Sequence, residues 1–325
     1  MLLPINDVMA LIEKKEILSL AADEKLLEKL PKGNWIAGTI PYFMSQNHGE
    51  ESKDKIFVNR FPEFIKDFKI KYYNEKELSN IPKDAPENGF SLIIIPATSK
   101  AHISYAHNAP NYEDIFLKPI IGWISGVHLD DLGTIKPKVF NGQTGEKNET
   151  NALVMHLTLP SNKMANIGII NIFEQGDGDT IEFDTEGFTV KDCLINGKQH
   201  NFSEYLLNGK IDTKLPLVAD YCGAMVNVSF QSIDEKDKIV NFYAPVFKDV
   251  QYKIAKPIGD YVKEFTTHLE KDKIEPIFSC NCILNYLYSE LNNRKTGNII
   301  GPITFGEIAY QLLNQTLTYL ELKDV

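Results

Sequence analysis

The order of apolar and polar positions predicts a mixture of strands and helices in the first third of the chain. Ser91 to Pro96 is almost entirely apolar and rich in isoleucine, which is typical of a strand buried on both faces, and a helix is predicted after it over Ser99 to His107. Trp35 to Met44 predicts a strand that enters a buried corner at Pro41. Helical spacing predicts three further helices at Val8 to Ile12, Leu26 to Leu30 and Phe61 to Phe68.

From Ile120 onward the pattern changes to short strands separated by turn signals. Asn196-Gly197 predicts a type I′ hairpin turn, because both residues tolerate the positive φ angles that this turn requires. Near the C-terminus we expect the strand Pro276 to Cys280, the helix Ile283 to Leu291, a turn at Gly301-Pro302 and the strand Leu317 to Leu322. The sequence therefore predicts the α+β class, with mixed, mainly antiparallel sheets flanked by helices.

Helix caps and cysteines add two local predictions. Asn6 or Asp7 is expected to cap the first helix, and Asp23 the second. The four cysteines, Cys193, Cys222, Cys280 and Cys282, are too few for a disulfide framework in a chain of 325 residues, so we expect reduced thiols. This length also favours two structural domains.

Charge and hydropathy exclude several classes of partner. The formal net charge of −10 opposes binding to nucleic acid, whose phosphates are recognised mainly by Lys and Arg. An anionic membrane surface would also repel a protein with this charge. The N-terminal residues lack the basic and apolar regions of a secretory leader, and no apolar run is long enough to span a bilayer. We therefore expect a cytoplasmic protein that does not associate with membranes.

No motif in the sequence predicts a metal site, a cofactor or a catalytic centre. Cys280-Asn281-Cys282 lacks both the spacing and the second ligand pair of a structural zinc site, so core packing is the expected role of these thiols. The histidines are scattered, without a metal-binding pair on one helix face. His102 and His107 follow the predicted buried strand and are the histidines of most interest.

Several segments of the second half of the chain resemble FIST (F-box and intracellular signal transduction) domains. Ile121 to Gly126 and Glu186 to Lys198 resemble the end of the first unit of that family and the junction that follows it. The most specific matches are Ile277 to Cys280, Gly301 to Ile308 and Asn314 to Leu317, which resemble its second unit.

The resemblance implies a divergent, stand-alone member with a layered two-unit architecture, a FIST N-like unit over 1–190 and a FIST C-like unit over 191–325. It further implies a sensory protein that binds a small ligand, such as an amino acid or related metabolite, and that acts with a signalling partner. The candidate ligand-binding residues are Glu307, Gly306, Phe305, Thr304, Cys280, Trp123, His128 and Tyr42.

Individual candidates have both a ligand-binding and a structural interpretation. Glu307 could accept a hydrogen bond from a ligand amine, or it could be the carboxylate at the start of a helix. Trp123 and Tyr42 could line a pocket together with Trp35 and Phe43, although core packing is the commoner role of such rings. Two other functions stay open, namely a hydrolase-like enzyme that uses Cys280, His102 or His128, and a subunit that binds a protein partner.

Overall fold

The computed structural model describes residues 1–65, 67–221, 223–272 and 274–325, which form an α+β fold. Cys222, one of the thiols expected to be reduced, lies outside the described residues. The helices are α1 (Ile5–Glu13), α2 (Glu24–Leu27), α3 (Ile81–Asp84), α4 (Lys100–Asn108), α5 (Phe202–Asn208), α6 (Tyr261–Asp272) and α7 (Ile283–Tyr288). Within these residues, no helix combines the length and the apolar character that a membrane crossing requires.

Strands make up most of the regular structure. In the first half of the chain they are β1 (Leu2–Leu3), β2 (Leu18–Ala22), β3 (Trp35–Thr39), β4 (Tyr42–Met44), β5 (Gly49–Glu51), β6 (Ile56–Arg60), β7 (Phe68–Tyr73), β8 (Gly89–Pro96), β9 (Ile120–Ser125), β10 (Val139–Asn141), β11 (Glu146–Asn148), β12 (Ala152–Thr158) and β13 (Lys163–Ile170). In the second half they are β14 (Ile181–Glu182), β15 (Gly187–Val190), β16 (Asp192–Ile195), β17 (Lys198–Asn201), β18 (Leu217–Tyr221), β19 (Ala224–Val228), β20 (Phe230–Asp234), β21 (Ile239–Val246), β22 (Tyr252–Ile254), β23 (Phe278–Cys282), β24 (Gly301–Thr304), β25 (Glu307–Ala309), β26 (Gln311–Leu313) and β27 (Leu317–Asp324).

These strands form five sheets within the described ranges. Sheet 1 has the order β1-β6-β2-β3-β10-β11, and the central sheet has the order β26-β25-β9-β8-β12-β7. Sheet 3 is β13-β27-β23-β24-β4-β5, sheet 4 is β17-β16-β14-β22-β18-β19, and sheet 5 is β15-β21-β20. Antiparallel pairs predominate, while β2 with β3, β8 with β9 and β23 with β24 are parallel.

The central sheet separates two hydrophobic cores. Every residue of β8 is buried, as the apolar pattern predicts, and successive side chains alternate between the two faces. Leu92 and Ile94 lie in a core that also contains side chains of sheets 1 and 3, whereas Ile93 and Ile95 lie in a core shared with α4 and sheets 4 and 5. The strand is therefore enclosed on both faces.

Several local predictions are confirmed. The Asp23 carboxylate accepts the backbone N–H of Lys25 and caps α2, and the helix predicted after the buried strand is α4. Asn196 and Gly197 adopt φ angles of 49° and 78° between β16 and β17, as a type I′ turn requires. The cap predicted for α1 is wrong, because that helix begins at Ile5 and Pro4 precedes it.

Two predicted elements do not form, and Glu307 lies in a strand. The helix predicted over Phe61 to Phe68 is wrong, because Phe68 begins β7, whose backbone pairs with β12. The apolar spacing there is compatible with a helix, but residues 61–65 and 67 form turns and irregular backbone, and strand pairing begins only at Phe68. The turn predicted at Gly301-Pro302 is the start of β24, and Glu307 lies in β25 rather than at the start of a helix.

The sheets connect the two halves of the sequence. In sheet 3, β24 pairs with β4, and β27 pairs with β13. In the central sheet, β25 pairs with β9. A division at 1–190 and 191–325 therefore does not follow the sheets.

Candidate functional site

A cavity of about 530 Å³ lies beside the carboxyl ends of β8 and β9, and we call it the strand-end cavity. Its volume is within the range of small-molecule sites in proteins. Its lining comes from the β8–α4 connection, α4, the loop 127–137, sheet 5, α7 and the segment around β25 and β26. The lining residues are Ala97, Thr98, His102, Ile103, Val127, Leu129, Leu132, Gly133, Ile135, Lys136, Pro137, Phe188, Thr189, Gln231, Asn241, Phe242, Tyr243, Ile283, Leu284, Leu287, Phe305 and Asn314.

The strand order explains why these segments meet. β8 and β9 run parallel, from the pair Ser91 and Ile120 to the pair Pro96 and Ser125. Both chains therefore leave the sheet at the same edge, where Ala97 and Thr98 follow β8 and the loop 127–137 follows β9. The carboxyl ends of parallel strands are a common place for ligand sites, because the loops there can vary without disturbing the sheet.

His102 lines this cavity, and its imidazole carries a hydrogen-bond donor. The Ser99 hydroxyl accepts the backbone N–H of His102 at 3.0 Å and caps α4, so the imidazole lies in the first turn of the helix. Its Nδ1 accepts the backbone N–H of Thr98 at 3.1 Å. An imidazole whose Nδ1 accepts a hydrogen bond must carry its proton on Nε2 when neutral. Burial lowers the pKa of His102 to about 4, so this neutral form predominates at physiological pH.

The donor atom itself has no partner. Although His102 keeps part of its surface exposed, its Nε2 has less than 1 Å² accessible and makes no hydrogen bond with any described residue. An unpaired buried N–H costs about 1–3 kcal/mol, so its presence in a cavity wall requires an explanation.

The backbone beside His102 adopts a rare conformation. Thr98 has a φ of 61°, in the left-handed region that β-branched residues seldom enter. Its N–H is the group that fixes the His102 tautomer, and its hydroxyl donates to the carbonyl of Ala97 at 2.6 Å. Backbone strain of this kind is concentrated at functional sites.

Asn314 contributes an unpaired acceptor. This residue is only 1% exposed, and its Nδ2 donates to the Leu313 carbonyl at 3.1 Å. Because a carbonyl can only accept, the amide nitrogen must face Leu313, and Oδ1 is the atom left over. Oδ1 makes no hydrogen bond with the described residues.

The rest of the cavity is mostly apolar, and its rim exposes large side chains to solvent. Ile103 is 46% exposed, Leu132 54%, Ile135 43% and Leu287 41%, and all four line the cavity. They come from α4, the loop 127–137 and α7. Exposed apolar side chains gathered around a concave site are a common sign of ligand binding.

Of the residues expected to bind a ligand, Phe305 lines this cavity and also packs over Gly126. Thr304 and Gly306 instead form hydrogen bonds that join neighbouring backbone segments. The Thr304 hydroxyl donates to the Gly306 carbonyl at 3.0 Å, and the Ile124 N–H donates to the same carbonyl at 2.9 Å. Neither residue is part of the cavity lining.

Glu307 is a buried carboxyl inside the central sheet, away from the cavity lining. Its Oε2 accepts the backbone N–H of Thr316 at 3.2 Å and the Thr316 hydroxyl at 2.9 Å, while Oε1 has no partner among the described residues. Burial raises the pKa of Glu307 to about 8. The side chain is therefore mainly protonated at neutral pH and does not offer the carboxylate expected for a ligand amine.

Cys280 and Trp123 belong to the core that contains side chains of sheets 1 and 3. The Cys280 thiol donates to the Gly122 carbonyl at 3.4 Å and lies 3.2 Å from the Thr318 hydroxyl, and burial raises its pKa. Trp123 is fully buried and packs against Gly38. The core packing expected for these aromatic and thiol side chains is confirmed.

Tyr42 and His128 pack against each other: Tyr42 is only 3% exposed and belongs to the same core as Cys280 and Trp123, whereas His128 is partly exposed. Their rings stack with centroids 5.5 Å apart, and the Tyr42 hydroxyl accepts the Leu129 N–H at 3.0 Å. His128 lines a charged cleft of about 570 Å³ that shares loop 127–137 with the strand-end cavity. Its Nε2 lies 3.2 Å from a Glu51 carboxylate oxygen.

The candidate residues are thus distributed over three places, and the described hydrogen bonds include none between Cys280 and a histidine. In the described ranges, no group of three or more His, Cys, Asp or Glu side chains could hold a metal ion. The sequence drew attention to His102 and Phe305, but it did not indicate the residues of the loop 127–137 and α7 that line the cavity. Leu132 and Leu287 carry no motif, so only their position in the fold could reveal them.

Comparison with known proteins gives a family without an assigned function. A search of curated proteins finds no match to this chain. Residues 3–323 match a family of unknown function, DUF6976. Because the match covers nearly the whole chain, the protein belongs to the DUF6976 family.

Proposed function

We propose that this protein binds a small molecule in the strand-end cavity. The observation that carries the proposal is that His102, whose buried Nε2–H has no hydrogen-bond partner among the described residues, lines a mainly apolar cavity of about 530 Å³. A ligand acceptor at this position would offset the cost of the unpaired donor. The strained Thr98 and the exposed apolar rim support the same interpretation.

Cys280 and His102, which the enzyme alternative would use, lack the properties that catalysis requires, and this favours binding. A thiol nucleophile needs a low pKa and a base within hydrogen-bond reach. Burial raises the pKa of Cys280, and its described hydrogen bonds go to Gly122 and Thr318. His102 receives its hydrogen bond from the Thr98 backbone, so it is held as a neutral donor.

The FIST resemblance adds a physiological role to the proposed binding. Phe305 and Asn314 belong to the segments that carry the resemblance, and both line the strand-end cavity. A sensory role, a cytoplasmic location and a signalling partner are accordingly part of the proposal. An amino acid or a related metabolite is the ligand class that the resemblance implies.

A thermal-shift screen of the full chain against a library of small metabolites and fragments tests the proposal. A ligand at about 100 times its Kd stabilises the native state by about 2.7 kcal/mol, which a melting curve detects. Leu132→Asp places a charge on the cavity rim, whereas Leu207→Asp makes the same change at a similarly exposed leucine on α5.

We expect compounds that stabilise the wild-type protein to lose their effect on Leu132→Asp and to keep it on Leu207→Asp. Equal stabilisation of both variants would place the binding elsewhere on the protein. A library without any stabilising compound would count against the proposed function itself.

A further inference from the structure

We infer that the ligand of the strand-end cavity is an uncharged molecule that presents a hydrogen-bond acceptor to His102, a donor to Asn314, and an apolar body to the remaining wall. The inference rests on the proposed function and specifies the chemistry of its ligand. A primary carboxamide carries both an acceptor and a donor, so a carboxamide on an apolar skeleton is the simplest probe of this chemistry.

The two polar atoms have fixed and opposite roles. Because the Thr98 N–H occupies Nδ1 of His102, the free Nε2 can only donate. Asn314 donates from its amide nitrogen to the Leu313 carbonyl, which leaves Oδ1 as the unpaired atom. An amide oxygen can only accept a hydrogen bond. A ligand that offers only acceptors, such as a carboxylate, would leave Oδ1 unpaired.

The lining also lacks the groups that would balance a buried charge. Of the described residues that line the cavity, Lys136 is the one with a permanently charged side chain. It is 73% exposed and its Nζ lies 2.8 Å from Glu149, so it is already paired at the surface. Among the described residues that line the cavity, none has a carboxylate that could receive an ammonium group. A zwitterionic amino acid would therefore lose the solvation of its amine without gaining an ionic partner. Of the ligands that the FIST resemblance implies, a neutral derivative of an amino acid thus fits this cavity better than the free amino acid.

Three probes with one skeleton separate these possibilities. 3-Phenylpropanamide is neutral, 3-phenylpropanoate is anionic and 3-phenylpropylamine is cationic at pH 7. Each is titrated into the full-length protein labelled with ¹³C at isoleucine and leucine methyl groups, and the methyl shifts of Ile103, Leu284 and Leu287 report entry into the cavity.

We expect the amide to shift these methyl groups and to bind at least about tenfold more tightly than either charged probe, since one hydrogen bond of about 1.4 kcal/mol corresponds to this factor. Equal or tighter binding of the carboxylate or the amine would overturn the inference and leave the proposed function intact. The inference would also be wrong if other fragments entered the cavity but the amide did not. If no fragment of a broad library shifted these methyl groups, the proposed function would fail as well.

Two substitutions test the role of the His102 donor. His102→Phe removes the N–H, and His200→Phe makes the same change at an exposed residue of β17 that is outside the cavity lining. We expect the affinity for the amide to fall about tenfold in the first variant and to stay unchanged in the second. His102→Gln keeps an N–H donor and should retain most of the affinity, which gives a result even if His102→Phe folds poorly. An unchanged affinity in His102→Phe would overturn the assigned donor.

Discussion

The buried carboxyl of Glu307 makes a quantitative prediction about stability and pH. Glu307→Gln keeps an oxygen that can accept both hydrogen bonds from Thr316, but it removes the ionisable group. Burial raises the pKa of this carboxyl from 4.5 to about 8 in the folded protein. Between these values the unfolded chain releases the proton and the folded chain retains it, so the free energy of unfolding falls as the pH rises.

The magnitude follows from the same two pKa values. Below pH 4.5 both states are protonated and the residue has no effect, whereas above pH 8 its effect levels off. Each pH unit between the two pKa values lowers the free energy of unfolding by up to about 1.4 kcal/mol, which amounts to about 3.5 kcal/mol between pH 5 and pH 8. The Gln variant has no ionisable group at this position and should not show this loss. We therefore expect Glu307→Gln to gain stability relative to the wild-type protein as the pH rises.

Urea unfolding of both proteins at pH 5, 6, 7 and 8 measures this difference. Glu235→Gln, at an exposed position in a turn, controls for the general effect of removing a negative charge. A stability difference between Glu307→Gln and the wild-type protein that did not change with pH would refute the reasoning. A difference that matched the Glu235 control would do the same.

Three further predictions concern the scaffold. Tyr73→Phe should cost about 1–3 kcal/mol in urea unfolding, because it removes the hydroxyl that lies 2.8 Å from the buried Nε2 of His156. Cys280 and Cys282 should resist iodoacetamide at pH 8 in the native protein and react in urea, as peptide mass mapping would show, because both thiols are buried and burial raises their pKa. Gly197→Ala should lower the stability by about 1 kcal/mol in thermal unfolding, because the turn holds this residue at a φ of 78°.

The sequence predicts elements well where a local pattern decides the structure. The isoleucine-rich run that forms β8 is almost entirely apolar, which favours burial on both faces. The helix cap at Asp23 and the turn at Asn196-Gly197 depend only on residues close to them in the sequence. The predictions fail where pairing with a distant strand decides the outcome. Phe68 and Glu307 take extended conformations because β12 and β9 supply backbone partners from far along the chain.

The residues of the candidate site can likewise be predicted from the sequence only where a local pattern marks them. His102 and Phe305 could be selected from the sequence, because one follows a buried strand and the other lies in a recognisable segment. Asn314 lies in such a segment too, but only the structure shows that its Oδ1 is left without a partner. The apolar rim is formed by separate elements whose meeting depends on sheet order, so no local pattern could reveal it.

A crystallographic fragment screen on the full-length protein tests the central claim most directly. If the strand-end cavity is a ligand site, fragments should occupy it repeatedly, with an acceptor atom within about 3 Å of His102 Nε2 and apolar atoms against Leu284 and Phe305. The claim would be contradicted if fragments bound only at other surfaces while this cavity contained ordered water that satisfied both His102 and Asn314.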